Sequence, residues 1–145
     1  MKRIYCYKDG TTSEEYDSSK TLHREDGPAW IEYNESGSIW RESYYMEGEC
    51  HREGLPADIG YYEDGALESE EYYIEGERHR EDGPAVIKYN NDGSVWYEIY
   101  CIEGGELSKE NHIDLMKEVG EMCSTLKLLD DMAWVRKLGK KEERV

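Results

Sequence analysis

One block of sequence occurs three times at a constant spacing of 28 residues. The copies span residues 22–49, 50–77 and 78–105, and they open on LHREDGPA, CHREGLPA and RHREDGPA. Self-similarity at a period of 20–50 residues indicates a repeat architecture, in which each unit buries its apolar side chains against its neighbours. The period therefore predicts a stack of similar units, not a globule around one central core.

Within a unit, the apolar pattern alternates with turn residues. In the third unit, an alternating run at 85–89 is followed by Asn-Asn-Asp-Gly and then by a second run at 95–102. Asp-Gly between two apolar runs is a strong hairpin signal. The same pattern predicts turns near Gly37, Gly65 and Gly93, and a partial unit at 1–21 adds one near Gly10. We predict a mainly β fold: an antiparallel meander solenoid of four β-hairpin repeats with eight strands, followed by a C-terminal α-helix.

The last part of the chain changes its period and predicts a separate helical segment. Apolar residues step by three and four at Leu115, Val119, Met122, Leu126, Leu129 and Ala133, which is typical of an amphipathic helix. Asn111 is a candidate start and Gly139 a candidate end. The chain thus divides into a repeat sheet at 1–107 and a helical tail at 108–145. We expect the helix to cap the sheet or cover one of its faces, with pairing to a partner or a helix-mediated homodimer as the alternative.

The charge of the chain is strongly negative and concentrated in the repeats. The formal net charge is −16, and residues 108–145 contribute nothing to it because their acidic and basic residues balance. An acidic surface repels nucleic acid and anionic membranes and attracts basic proteins, although solubility alone is an alternative explanation. No signal peptide or apolar run of about 20 residues is present. The four cysteines show no paired spacing, which predicts a cytoplasmic protein with free thiols.

The repeated His-Arg-Glu segments predict a structural ladder and no metal site. Identical positions in successive units lie two strands apart, about 9–10 Å at ~4.8 Å per strand. Their histidines cannot share a zinc ion, whose ligand nitrogens lie ~2 Å from the metal. We therefore expect the side chains to link neighbouring units. The ladder residues are His23, Arg24, Glu25, His51, Arg52, Glu53, His79, Arg80 and Glu81.

Catalysis is not predicted. A catalytic set consists of residues that differ from their surroundings, whereas the candidates here occur in each of the three units. No GxSxG, phosphate-binding loop or HExxH motif is present. The sequence therefore predicts a protein that is not an enzyme and has no cofactor.

Aromatic and acidic residues recur on one predicted face of the returning strands. The tyrosines stand two positions after the glutamates, and two tryptophans stand two positions before them, so alternation places all of them on one side. Tyr and Trp are enriched at interface hot spots, and the glutamates would steer a basic partner. The predicted partner-binding residues are Trp40, Glu42, Tyr44, Glu70, Tyr72, Trp96, Glu98 and Tyr100. The alternative is that the C-terminal helix covers this face.

Residues 4–105 resemble a known repeat family. HREDGPA at 23–29 and 79–85, HREGLPA at 51–57 and the Asp-Gly hairpin turns are similar to MORN-repeat variants, most of all the DGPA-type repeats of bacteriophage and giant-virus proteins. The same superfamily includes YwqK-type antitoxins. The resemblance implies an elongated, curved antiparallel sheet with a non-enzymatic binding role. The longer period of 28 residues argues against the lipid-binding roles of ordinary MORN repeats.

Together these features predict an inhibitor that binds a protein. It would be encoded by a phage or mobile element and would block a host defence or nucleic-acid-handling protein through its acidic Tyr/Trp surface. Eight strands at ~4.8 Å span ~38 Å, so the net charge amounts to one per ~2.4 Å, comparable to duplex DNA at ~1.7 Å. Nucleic-acid mimicry is therefore one possible mode. The alternatives are an antitoxin that neutralises a cognate toxin and a self-assembling structural scaffold.

Overall fold

The computed structural model describes residues 1–18 and 20–142, which form fourteen strands and one helix. The chain divides into a sheet unit, Met1–Lys109, and a helical unit that begins at Glu110. The strands are β1 (Lys2–Cys6), β2 (Thr12–Ser18), β3 (Thr21–Leu22), β4 (Trp30–Tyr33), β5 (Ile39–Ser43), β6 (Tyr45–Met46), β7 (Glu49–Cys50), β8 (Asp58–Tyr61), β9 (Leu67–Glu71), β10 (Tyr73–Ile74), β11 (Glu77–Arg78), β12 (Val86–Tyr89), β13 (Val95–Ile102) and β14 (Gly105–Leu107).

The strands form an antiparallel meander, as predicted. Their order in the main sheet is β1-β2-β4-β5-β8-β9-β12-β13-β14, with β3 paired to β2. Short two-stranded ladders, β6–β7 and β10–β11, follow β5 and β9. The sequence predicted turns at these places but not the two-residue strands that flank them. A mainly β meander followed by one C-terminal helix is therefore confirmed.

The long hairpins close at glycines in the left-handed conformation. Gly10, Gly37, Gly65 and Gly93 have φ between 82° and 91°, and each donates its N–H to the carbonyl three residues earlier. Such three-residue loops end on a glycine that starts a bulge in the returning strand. We call this side of the sheet, where the four glycines lie, the tip margin.

The opposite ends of the strands carry a second type of turn. Glu47-Gly48, Glu75-Gly76 and Glu103-Gly104 have positive φ at both residues, the geometry of a two-residue type I′ turn. Glycine adopts this conformation freely, but glutamate does so at an energetic cost. We call this side, which also carries the three His-Arg-Glu segments, the turn margin.

The core of the sheet unit is thin, and its fully buried members are small residues. Ala29, Ala57 and Ala85 are fully buried, and Val86 is 1% exposed. Each alanine bonds through its backbone to the preceding unit, where its carbonyl accepts from a tyrosine N–H. Stability therefore depends on repeated local contacts between neighbouring strands, and not on one large apolar centre.

The helix α1 spans Lys109–Glu142. It begins two residues before the predicted Asn111 and runs through Gly139, so the predicted end at Gly139 was wrong. Leu115, Val119 and Met122 on the predicted apolar stripe are exposed, whereas the side chains of Leu126, Leu129 and Ala133 lie outside the described residues. In the part of the chain that the structure describes, no helix combines the length and the apolar character needed to cross a membrane. Covering of the sheet by the helix stays a prediction.

Candidate protein-binding surface

One face of the sheet carries a continuous row of alternating isoleucine and glutamate. Register partners in adjacent strands share a face, and the register joins eight strands through one residue each. The row reads Ile4, Glu14, Ile31, Glu42, Ile59, Glu70, Ile87, Glu98. Three of the predicted partner-binding glutamates therefore lie in a single line across the strands, and we call this surface the row face.

Two of these glutamates are engaged inside the sheet. Tyr61 Oη donates to Glu42 Oε2 at 2.9 Å, and Tyr89 Oη donates to Glu70 Oε2 at 2.6 Å. Burial, together with the bond to the carboxylate, raises the pKa of Tyr61 to about 12 and also raises the pKa of Tyr89. Both phenols therefore remain protonated donors, and the carboxylates they hold are half-buried.

Glu98 differs because it lies on the last long strand. Its side chain is 35% exposed and lies 3.7 Å from Lys109 Nζ. Tyr100 Oη also donates to Glu98 Oε2 at 3.3 Å. Of the three predicted glutamates, Glu98 is the one that solvent reaches most readily.

The predicted tyrosines are covered by cations. The guanidinium of Arg52 lies 3.8 Å from the centre of the Tyr44 ring, and that of Arg80 lies 4.0 Å from the Tyr72 ring. The Arg24 guanidinium makes the same contact with Tyr16 at 4.0 Å. Tyr100 is 8% exposed. These rings therefore stabilise the fold more than they offer free surface.

The two predicted tryptophans remain accessible, because both sit at bulges. In the pairing of β4 with β5, Arg41 and Ile39 have register partners but Trp40 between them is skipped. Trp96 is skipped in the same way where β12 pairs with β13. Their side chains are 49% and 59% exposed. The bulge also interrupts the strict alternation of faces. Ile39 is registered with Tyr33 on the row face, whereas alternation from Glu42 would place Ile39 on the opposite face.

The predicted His-Arg-Glu ladder consists of three different contacts. Each histidine Nδ1 accepts the backbone N–H of the glutamate in a type I′ turn: His23 from Glu47 and His51 from Glu75 at 3.1 Å, and His79 from Glu103 at 3.2 Å. An accepting Nδ1 carries no proton. Each histidine contact lies within its own unit, so these contacts do not link neighbouring units as we expected from the sequence.

The arginines of the ladder join successive units. Each stacks on a tyrosine of the preceding unit and also donates to a proline carbonyl in its own loop: Arg24 to Pro28, Arg52 to Pro56 and Arg80 to Pro84. The glutamates Glu25 and Glu81 are 82% and 71% exposed, and Glu53 is exposed too. They are therefore surface charges and do not link units.

Exposed carboxylates are concentrated on the turn margin. They belong to the type I′ turns, to the strands beside them and to the His-Arg-Glu loops: Glu25, Asp26, Glu47, Glu49, Glu53, Glu75, Glu77, Glu81, Asp82, Glu103 and Glu106. The ladder arginines of this margin point inwards onto tyrosines, so Arg24 and Arg80 are only 25% and 22% exposed. We call this set of carboxylates the acidic margin.

Grooves open onto the acidic margin between successive units. One is lined by Tyr44, Met46, His51, Arg52 and Glu53, and an equivalent groove one unit later is lined by Tyr72, Ile74, His79, Arg80 and Glu81. Each has aromatic and apolar walls, three carboxylates and two of the ladder arginines. Such a groove suits the long, partly apolar side chains of lysine and arginine.

The face opposite the row face holds a charge cluster that the sequence reading missed. Arg41 Nε lies 3.1 Å from both Asp58 oxygens, Ser43 Oγ donates to Asp58 at 2.6 Å, and Arg78 pairs with Glu71 at 2.9 Å. Asp58 and Glu71 are register partners, so the two arginines offset their mutual repulsion. The sequence did contain a signal for this cluster, because Asp58 is charged whereas the equivalent positions of the other two units hold the apolar residues Trp30 and Val86.

Burial beside this cluster raises the pKa of the Cys50 thiol. Burial and the charges of Asp58 and Glu71 raise the pKa of Cys50 to about 12. The thiol is therefore protonated and a poor nucleophile. Among the described residues, no group of three or more His, Cys, Asp or Glu side chains is placed to hold a metal ion.

The sequence was also compared with known families and proteins. No protein-family model matches it, and no curated protein matches it either. The local geometry of the surface is therefore the basis for a functional proposal.

Proposed function

We propose that this protein is a non-enzymatic inhibitor that binds the basic surface of a host protein, either a defence factor or a protein that handles nucleic acid. The observation that carries the proposal is the acidic margin. Its carboxylates are exposed, while the ladder arginines Arg24, Arg52 and Arg80 are stacked on tyrosine rings. This margin exposes eleven carboxylates, against the cations of Lys20, which is exposed, and Arg78, whose side chain is 42% exposed, so its net charge is strongly negative and attracts a basic partner.

We infer that the sheet is a repeat solenoid of four hairpin units with a period of 28 residues. Three kinds of contact recur at that spacing and support the inference: histidine to turn amide, arginine to tyrosine ring, and arginine to proline carbonyl. The resemblance to MORN-repeat variants agrees with it. In such a solenoid the acidic groups repeat every two strands, about 9–10 Å.

Binding would combine long-range attraction with local contacts. The acidic margin would raise the association rate of a basic protein, an effect that salt weakens. Trp40 and Trp96 are exposed at bulges beside the tip margin, at the far end of the strands from the acidic margin. The apolar contact area that slows dissociation would therefore come from the aromatic and apolar walls of the grooves that open onto the acidic margin. Glu42 and Glu70 contribute less to steering than the sequence predicted, because tyrosine hydroxyls hold them within the sheet.

The test begins with a partner isolated on the immobilised protein from host extract. The purified pair is then titrated by calorimetry, and the partner's binding to duplex DNA is measured with and without this protein. We expect one-to-one stoichiometry and loss of DNA binding. A partner that binds without losing its nucleic-acid or defence activity would contradict the inhibitor assignment.

Two matched triple variants locate the surface. Glu47→Gln, Glu75→Gln and Glu103→Gln remove three charges from the acidic margin. Glu35→Gln, Glu63→Gln and Asp92→Asn remove three charges from the tip margin. We expect only the first set to slow association at low salt and to flatten its salt dependence. Equal effects of both sets would mean that net charge alone, and not the acidic margin, determines binding.

A further inference from the structure

The two ends of the main sheet expose apolar residues where inner strands bury theirs. All five residues of β1 are exposed, and so are the first four of β13. The inner strands at positions equivalent to β1, namely β4, β8 and β12, contain no exposed residue. Ile4 is 61% exposed and Val95 is 49% exposed, whereas their inner equivalents Ile31 and Ile39 are buried and half-buried. Solenoids normally end on polar capping surfaces, and bare apolar edge strands attract further strands.

The backbone groups at both ends point outwards. Met1 O accepts the N–H of Asp17 and Tyr7 N–H donates to Thr11 O, so odd-numbered residues of β1 face β2. Because backbone groups alternate along a strand, Ile4 directs its N–H and C=O away from the sheet. At the other end, β14 pairs with β13 only at residues 100–102, so residues 95–99 have no strand beside their outer edge within the sheet unit. Cys101 O accepts from Arg80 N–H, which places the backbone groups of Glu98 on that outer side.

The two ends also match each other in sequence. The row that crosses the sheet starts with Ile4 and ends with Glu98. At each boundary between units, the glutamate of one unit is the register partner of the isoleucine of the next. Glu98 and Ile4 are the residues at the two ends of the sheet that would make the same pair. We propose that copies of this protein associate head to tail, with β1 of one copy pairing antiparallel with β13 of another. The register that continues the row pairs Ile4 with Glu98, Tyr5 with Tyr97 and Arg3 with Ile99 of the second copy.

Charge and shape favour this occupant over other strands. Lys2 and Arg3 lie at the β1 end, and Glu98 and Glu106 lie at the β13 end. Pairing with Glu14, Asp17 and Lys109 inside each copy offsets part of this difference in charge. A symmetric β1–β1 pair would bring the basic residues together. An open groove of about 460 Å³ runs along β13 and is lined by residues 95–100 and 106–109, so the strand edge is accessible within the sheet unit.

The contact is heterologous and leaves one free end on each copy. Repetition of the same contact therefore produces open chains, not a closed dimer. The net charge of −16 opposes association over long range. Since salt screens that repulsion, assembly increases with both protein concentration and ionic strength. This self-association is independent of the proposed inhibitor function.

Disulfide trapping tests the register. Residues 5 and 97 would form a non-hydrogen-bonded antiparallel pair with Cα atoms ~4.5 Å apart, within the range for a disulfide. Tyr5→Cys and Tyr97→Cys proteins are prepared separately in a Cys6→Ser, Cys123→Ser background and mixed under mild oxidation. We expect a disulfide dimer that contains one copy of each. The control mixture of Tyr5→Cys with Glu35→Cys should give little product.

A proline variant tests the backbone pairing. Ile4→Pro removes an N–H that faces outwards, so the β1–β2 ladder and the melting temperature should be retained. We expect association, measured by sedimentation velocity at several concentrations, to weaken roughly fivefold because one backbone hydrogen bond is lost. Ile4→Val keeps the N–H and should associate like the parent protein.

Three results would overturn the proposal. The first is a mixed disulfide yield no higher than that of the Glu35→Cys control. The second is efficient cross-linking of Tyr5→Cys protein alone, which would indicate a symmetric β1–β1 pair. The third is a monomer at every concentration up to the solubility limit, at both low and high salt.

Discussion

The stacked Arg52 provides the sharpest test of what holds neighbouring units together. Its guanidinium lies 3.8 Å from the centre of the Tyr44 ring, and its Nη1 donates to Pro56 O at 3.1 Å. A partly buried cation–π contact contributes about 1–2 kcal/mol, and a charged hydrogen bond contributes about 1.5–3 kcal/mol. Ordering the long side chain offsets up to about 2 kcal/mol of this. Arg52→Ala should therefore lower the free energy of unfolding by about 2 kcal/mol.

The assay is urea unfolding followed by circular dichroism, with an unchanged denaturant slope as the check that cooperativity is preserved. In a chain of this length, the loss corresponds to a melting temperature roughly 6–8 °C lower. Arg52→Lys keeps the charge but loses the planar fork, so it should recover only part of the stability. A double-mutant cycle with Tyr44→Leu should give a coupling energy of about 1 kcal/mol.

The other units supply matched comparisons. Arg24 and Arg80 make the same stack but also pair with Asp26 and Asp82, residues that the middle unit lacks. Both aspartates are more than 80% exposed, and exposed ion pairs contribute about 0–1 kcal/mol. The losses of unfolding free energy caused by the three Arg→Ala substitutions should therefore agree within about 1 kcal/mol, and these losses should remain in high salt. A negligible effect in the middle unit, with large salt-sensitive effects in the others, would refute the stacking argument.

Three further outcomes follow from the local environments. At pH 8, a thiol reagent should modify Cys50 at least about a hundredfold more slowly than the exposed Cys6, because few Cys50 thiols are deprotonated; equal rates would contradict the burial of the thiol. The pKa of Tyr61 is raised to about 12, so the native state holds its proton more tightly than the unfolded state, and stability should fall as the pH rises from about 10 to 12. Glu42→Gln should reduce that loss in an alkaline unfolding series, and an unchanged series would exclude the Tyr61–Glu42 bond as its cause. Glu75→Asn should raise the unfolding free energy by about 0.5–1 kcal/mol, because asparagine tolerates the positive φ of a type I′ turn better than glutamate does. Thermal melting would detect the gain, and a lower melting temperature would contradict the prediction.

The tip-margin turns were predictable because their signals are local. Asp-Gly or Ser-Gly between apolar runs marks a hairpin within a few residues, and the 28-residue period then repeats the assignment. The positions of Gly37, Gly65 and Gly93 followed directly. The end of the helix was not predictable in the same way, because a glycine such as Gly139 weakens a helix without necessarily ending it.

The accessibility of the predicted surface was decided by contacts distant in sequence. Alternation placed Glu42 and Glu70 on one face, but it carried no information about Tyr61 and Tyr89, which come from the next unit and hold those carboxylates. The stacking of Arg52 on a ring eight positions earlier likewise depends on how the intervening turn folds back.

The sequence by itself determined the meander, the hairpin turns at the tip margin and the acidity of the sheet unit, because period, turn residues and charge are properties of short segments. Tertiary structure alone decided where that acidity is exposed. Cross-strand register buries some carboxylates against tyrosine hydroxyls, and stacking on tyrosine turns the three ladder arginines inwards, leaving the acidic margin facing solvent. Register and stacking depend on pairing between strands, and a side chain becomes covered or exposed only once its neighbours are in place.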